Sequence, residues 1–141
     1  MRIALFPGSF DPFTSGHEVI VRRAMALFDK VYVAVGVNTD KHYMFSTEER
    51  LQQIRSLFVG ESQVEAIAFS GMTVDLCHQV GATFIVRGVR NAEDLAYEQT
   101  VAAVNQTLDP AIDTVIFLAD LEHKDISSTL ERERLSHKPQ K

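Results

Sequence analysis

Val31 to Val37 reads V-Y-V-A-V-G-V, seven residues without a charge. The run is too short for a buried helix and is rich in β-branched side chains, so it predicts a strand. It does not alternate between apolar and polar residues. A strand without alternation has both faces covered, which is the condition of a parallel sheet packed between layers of helices. Thr83 to Val86 has the same character and runs directly into Arg87. These two segments restrict the chain to folds that can supply helices to both sides of a sheet.

The rest of the sequence supplies them. Ile3 to Phe6 is a short apolar run ended by the turn residues Pro7 and Gly8, a strand and its stop. A helical pattern runs from about Gly16 to Phe28, with Ile20, Ala24 and Leu27 spaced for one face. Ser46, Thr47, Glu48 and Glu49 have the S-x-x-E form of a capping box. They open a helix whose Leu51, Ile54, Leu57 and Phe58 share a face. Val64 to Phe69 predicts a third strand, and Thr73 to Val80 a third helix. Asn91 to Leu108 predicts a long helix closed before Asp109 and Pro110. Thr114 to Leu118 is a fifth strand, and Ser127 to about Ser136 a final helix. Strand followed by helix, five times over, predicts an α/β fold: a five-stranded parallel sheet with helices on both faces, in a single domain over residues 1–141.

Composition narrows the partners. The net charge of −5 argues against a nucleic-acid partner, which needs a basic face, but leaves room for a small anionic ligand held by a few local cations. Cys77 is the only cysteine, so no intramolecular disulfide is expected, and it reads as a core filler. The apolar run at the N-terminus is too short for a secretory signal, and no stretch approaches the ~18 apolar residues of a membrane span. The expectation is a cytoplasmic protein without a membrane partner. One cysteine and no H-E-x-x-H argue against a structural zinc site, and no metal-binding residues are expected. His42, His78 and His137 fit no site pattern.

In a parallel sheet of this kind, ligands bind outside the carboxyl ends of the strands, where the strand order reverses. The loops at those ends run from Pro7 to Gly16, Asn38 to Phe45, Ser70 to Thr73, Arg87 to Asn91 and Ala119 to Ser128. They hold most of the unusual chemistry in the chain. The first loop is neither a Walker A loop nor a G-x-G-x-x-G turn. It does place Gly16 and His17 at a helix start, where free N–H groups favour phosphate and an imidazole can donate to a phosphate oxygen. Taken singly, Lys41 and Arg90 read equally well as solvated loop charges, Glu98 as half of an ion pair, and Ser127 with Ser128 as a helix cap.

Together these segments have a family likeness. G-S-F-D-P-F-T-S-G-H, with the turn Thr14-Ser15-Gly16-His17, resembles the signature of the nucleotidylyltransferase superfamily. I-V-R-G-V-R at Ile85 to Arg90 and I-S-S-T-L-E-R-E at Ile126 to Glu133 resemble it too. With Lys41 and M-F-S-T-E-E-R at Met44 to Arg50, the likeness is to the bacterial phosphopantetheine adenylyltransferases, from Arg2 to about Ser136. The resemblance implies a Rossmann-like nucleotidylyltransferase fold, ATP and 4′-phosphopantetheine as substrates, Mg²⁺ accompanying ATP, and a homohexamer.

It also implies roles. His17 matches the stabiliser of the transition state at the α-phosphate. Ser9 orients the acceptor phosphate, and its backbone N–H with that of Phe10 faces ATP. Lys41 and Arg87 bind the acceptor phosphate, and Thr73 contacts the pantetheine arm. Gly88, Val89 and Arg90 match the ATP-binding run, with Arg90 near the departing pyrophosphate, and Glu98 matches another ATP-side position. His123, Lys124, Asp125, Ile126, Ser127, Ser128 and Thr129 match the last ATP loop. Asp125 and Glu131 depart from the residues common there. Two other readings stand beside this one. One is a transferase of the same superfamily acting on nicotinate mononucleotide, or using CTP with an alcohol phosphate. The other is a nucleotide sensor without turnover.

Overall fold

The computed structural model of the chain describes residues 1–119. The expected final helix and the stretch His123 to Thr129 lie outside the described residues. The element order is β1 (Ile3–Gly8), α1 (Ser15–Met25), β2 (Lys30–Gly36), α2 (Thr47–Leu57), β3 (Val64–Phe69), α3 (Thr73–Val80), β4 (Phe84–Val89), α4 (Ala92–Leu108) and β5 (Asp113–Leu118). All five strands are parallel, in the order β3-β2-β1-β4-β5. The chain winds outward from β1 to β3, crosses back to β4 beside β1, and continues to β5. The order therefore reverses between β1 and β4.

Successive side chains on a strand point to opposite faces, and the two faces carry separate cores. Phe6, Val33 and Val86 pack with Ile20 and Ala24 of α1 and with Leu51 and Ile54 of α2. Leu5, Ala34 and Ile85 pack on the other face with Val74, Leu76 and Cys77 of α3. Helix α4 joins α3 on that second face through Glu98, which bonds to Arg87 of β4. The continuous apolar character of β2 and β4 is thus explained: both faces of both strands are covered, as expected. Cys77 is a fully buried part of the second core, and burial, with Asp109 nearby, pushes its thiol up to about 11. The exposed His78 has a partner the sequence did not suggest: its Nε2 lies 2.6 Å from Asp109 Oδ2, tying α3 to the end of α4.

Two strands run further than their sequence pattern predicts. Strand β1 continues through Pro7 and Gly8, which pair with Ala34 and Val35 of β2. Strand β4 continues through Arg87, Gly88 and Val89, which pair with Ile116, Phe117 and Leu118 of β5. A charge and two presumed turn residues read as strand ends. Tertiary pairing overrides that local signal, because the parallel ladder extends across them.

Candidate active site

Thr14 is the N-cap of α1. Its hydroxyl accepts the His17 backbone N–H at 3.3 Å, and its own N–H donates to His17 Nδ1 at 3.0 Å. This is a capping box with an imidazole in the place usually taken by a carboxylate. Because Nδ1 accepts a backbone N–H, the proton of the neutral ring sits on Nε2 and is left to donate. The ring stacks on Phe13 with centroids 5.3 Å apart and meets Phe10 edge-on at 5.0 Å. Burial, and then the positive charge of Arg87, hold its pKa below the ordinary 6.5. The imidazole is therefore a neutral donor at pH 7, and it lies close enough to Arg87 to feel its charge.

Phe10 sets the shape of the first loop. It is the one non-glycine among the described residues with positive φ, at 49°, and its ring is buried. The ring lies over Gly8, where an added Cβ would sit 2.9 Å from Phe10 Cζ. Phe10 thus serves the core through its side chain, so any ligand contact it makes must come from its backbone.

A cleft of about 990 Å³ opens at the point where the strand order reverses. It is lined by Ser9, Lys41, Thr73, Arg87 and Glu98, with Tyr97 and Asn105 further along α4. Lys41 Nζ donates to Ser9 Oγ at 3.3 Å. Arg87 points from β4 into the second face. It donates from Nε and Nη2 to the Glu98 carboxylate at 2.9–3.1 Å and from Nη1 to the carbonyl of Pro7. The buried Glu98 therefore sits with the residues matched to the acceptor rather than apart from them. Loop two is tied to loop one by Asp11, whose carboxylate accepts the N–H groups of Met44 at 2.7 Å and Phe45 at 2.8 Å.

The remaining positions do not line this cleft. Gly88 faces α1, and a Cβ there would lie 3.0 Å from Ile20 Cδ1. Val89 is buried, and its carbonyl accepts the Ala119 N–H. Arg90 is exposed and bonds to Asp94 through its backbone N–H and its Nε. Two residues at the site escaped the sequence reading, Asp11 and the fully buried Arg50. Arg50 stands four residues before Ile54, which puts it on the apolar face of α2, and that spacing is the signal that could have found it.

Residues 5–134 match the cytidylyltransferase-like family. Among solved structures the chain resembles the lipopolysaccharide core biosynthesis protein of Thermoplasma volcanium, with TM-score 0.58 and 20% identity over 85% of this chain and 97% of that one. It also resembles the bifunctional NMN adenylyltransferase/ADP ribose pyrophosphatase of Francisella tularensis, with TM-score 0.67 and 18% identity over 89% of this chain and 40% of that one. At these identities the likeness is one of fold. Fold, reversal-point cleft and capped histidine together define an α/β domain of the nucleotidylyltransferase class.

Sequence relatives narrow the class. The phosphopantetheine adenylyltransferase of Limosilactobacillus fermentum is 45% identical over 94% of this chain and 77% of its own length. Those of Flavobacterium psychrophilum and Porphyromonas gingivalis are 44% and 46% identical, each with 87% of its length covered. The chain belongs to the phosphopantetheine adenylyltransferase family.

Proposed function

We propose that this chain transfers the adenylyl group of ATP to 4′-phosphopantetheine, giving dephospho-coenzyme A and pyrophosphate by direct in-line displacement. The observation that carries the reading is the gathering of Ser9, Lys41, Thr73 and Arg87 around one cleft beside a neutral histidine donor. An acceptor phosphate oxygen attacks the α-phosphorus, the new O–P bond forms, and the bond to the β-phosphate oxygen breaks. A phosphate dianion is already nucleophilic at neutral pH, so the step needs no general base. Positioning and stabilisation of charge on the α-phosphate then supply the rate.

In this reading Lys41 and Arg87 bind the acceptor phosphate, Ser9 orients it, and Thr73 contacts the pantetheine arm. His17 donates from Nε2 to the α-phosphate as charge builds there. Glu98 holds Arg87 rigid. Gly88 and Val89 meet ATP only through their backbone, since both pack inward, while the exposed Arg90, whose Nε is bonded to Asp94, keeps its Nη groups for the departing pyrophosphate. The assignment of residues 123–129 to the β- and γ-phosphates rests on family likeness alone.

Magnesium enters with ATP as part of the substrate, coordinated by phosphates and water. The donor set argues against a protein cage: Glu98 is engaged by Arg87 and Asp11 by backbone N–H groups. Among the described residues no group of three or more His, Cys, Asp or Glu side chains is placed to hold an ion. A homohexamer belongs to the same proposal. Along the 17-residue α4 only Glu98 is buried, and Leu95, Tyr97, Val104 and Leu108 are exposed, an apolar surface that invites a second copy. A cytoplasmic location, where ATP is supplied, completes it.

The test mixes protein, ATP, Mg²⁺ and 4′-phosphopantetheine and follows dephospho-coenzyme A and pyrophosphate. Both products should appear together. Pyrophosphate release with nicotinate mononucleotide but not with 4′-phosphopantetheine would overturn the acceptor assignment, and ATP binding without turnover would leave a sensor.

A further inference from the structure

Arg50 heads the fully buried side chains of the described residues by volume, and no step above uses it. It stands in the first turn of α2 and reaches under the cleft. Its Nη1 donates to the carbonyl of Ser9 at 2.7 Å and to that of Gly36 at 3.0 Å. These carbonyls lie at the carboxyl ends of the neighbouring strands β1 and β2. The guanidinium lies 3.9 Å over the ring of Tyr43, whose hydroxyl accepts the Asn38 N–H at 2.9 Å.

Its company differs from that of Arg87. Arg87 faces a carboxylate; Arg50 forms no ion pair among the described residues, and its buried Nε has no partner. Burying a cation without an acid is unfavourable, and a leucine or methionine would fill the same volume without that cost. Packing therefore does not account for an arginine here. The electrostatics of the strand ends do. Carbonyl oxygens at the carboxyl ends of parallel strands turn their negative poles toward the place where an anion must bind. Arg87 occupies the carbonyl of Pro7, and Arg50 occupies those of Ser9 and Gly36.

We propose that Arg50 is a positioning residue for the acceptor end of the site. It fixes the Ser9 and Gly36 carbonyls, so that Ser9 Oγ meets Lys41 Nζ, and its unpaired charge makes the cleft floor positive for an incoming phosphate dianion. That the dianion is the acceptor's rests on the functional reading above; that the floor is built for phosphate does not.

The test compares wild type with Arg50→Met and Arg50→Lys. Thermal unfolding identifies the variants that fold. Pyrophosphate release is measured with each substrate varied in turn, and inorganic phosphate is titrated by calorimetry without ATP. In Arg50→Met the KM for 4′-phosphopantetheine should rise on the order of tenfold, with the KM for ATP within about twofold, and phosphate should bind about tenfold more weakly. Lysine keeps the charge and has donors for the two carbonyls, but it loses the planar contact with Tyr43 and the Nη2 bond to Thr47, so Arg50→Lys should recover part of both losses. It carries the test if Arg50→Met does not fold, with a rise in acceptor KM of about threefold expected. Wild-type acceptor KM and phosphate affinity in a folded variant would overturn the proposal, as would equal losses toward both substrates. If the wild type releases no pyrophosphate, the functional reading fails while the phosphate titration still decides Arg50. Weaker binding in the variants supports it; no difference, or no phosphate binding by the wild type, rejects it.

Discussion

Helices α1 and α2 begin with the same device made from different residues. In α2 the Ser46 hydroxyl accepts the Glu49 N–H at 3.1 Å and the Glu49 carboxylate accepts the Ser46 N–H at 3.0 Å. In α1 Thr14 and His17 exchange the same two bonds. The carboxylate of Glu49 is spent on the cap and faces solvent. The imidazole of His17 has a second nitrogen, so satisfying the cap with Nδ1 leaves Nε2–H to donate, on a ring braced by phenylalanines. One cap ends a helix; the other ends a helix and aims a donor.

The largest effect should come from separating those two jobs in α1. His17→Ala removes both and should lower kcat by about 10²–10³, as loss of a preorganised donor does. His17→Glu restores the capping box but supplies no donor and adds a negative charge. It should unfold at or near the wild-type temperature while remaining at least as inactive as His17→Ala. Activity recovered by glutamate would mean that the cap, not Nε2–H, is what catalysis needs.

A smaller effect is expected in α2. Ser46→Ala should cost about 1 kcal/mol of stability, read from denaturant midpoints, with kcat unchanged. A kcat loss comparable to that of His17→Ala would erase the distinction between the two helix starts.

The smallest effect is in pH. His17's folded pKa lies below the 6.5 of an ordinary histidine, so the unfolded chain takes up the proton first as pH falls. Its contribution to stability is fully present above about 6.5 and declines as pH drops from there through the folded value. Glu49's pKa is held below the ordinary 4.5 by the N–H and hydroxyl of Ser46. Its contribution is present above about 4.5 and is lost as pH falls through its own depressed value. The slope of unfolding midpoint against pH just below 6.5 should therefore shrink in His17→Gln and persist in Glu49→Gln.

The two caps were unequally readable. S-x-x-E announces a helix start from its residue types alone, whereas the start of α1 was legible from the apolar spacing of Ile20, Ala24 and Leu27 rather than from T-x-x-H. Strand β3 and helix α3 agree with their sequence pattern at both ends, because each is bounded by polar or turn residues and carries no functional charge. Strand β4 does not. Arg87 and Gly88 look like its end, and Glu98, eleven positions on, with the carbonyl of Pro7, makes an inward arginine tolerable there. Ser9, Lys41, Thr73 and Arg87 were legible as a set through family likeness, and they line one cleft. For Arg50 the spacing from Ile54 could have shown the burial but not the purpose, since its partners are the backbone carbonyls of Ser9 and Gly36, and carbonyls leave no trace in a sequence.

Gly8 carries a further consequence. Three atoms of the Phe10 ring lie 2.9–3.2 Å from where its Cβ would be. That ring cannot retreat, because Phe6, Phe13 and His17 surround it with centroids 5.0–5.2 Å away. A single methyl group at position 8 would push through the aromatic stack into the imidazole. The aim of the histidine is thus guarded by lack of space as well as by its bond to Thr14, and a methyl group added on β1 would be felt at the imidazole of α1.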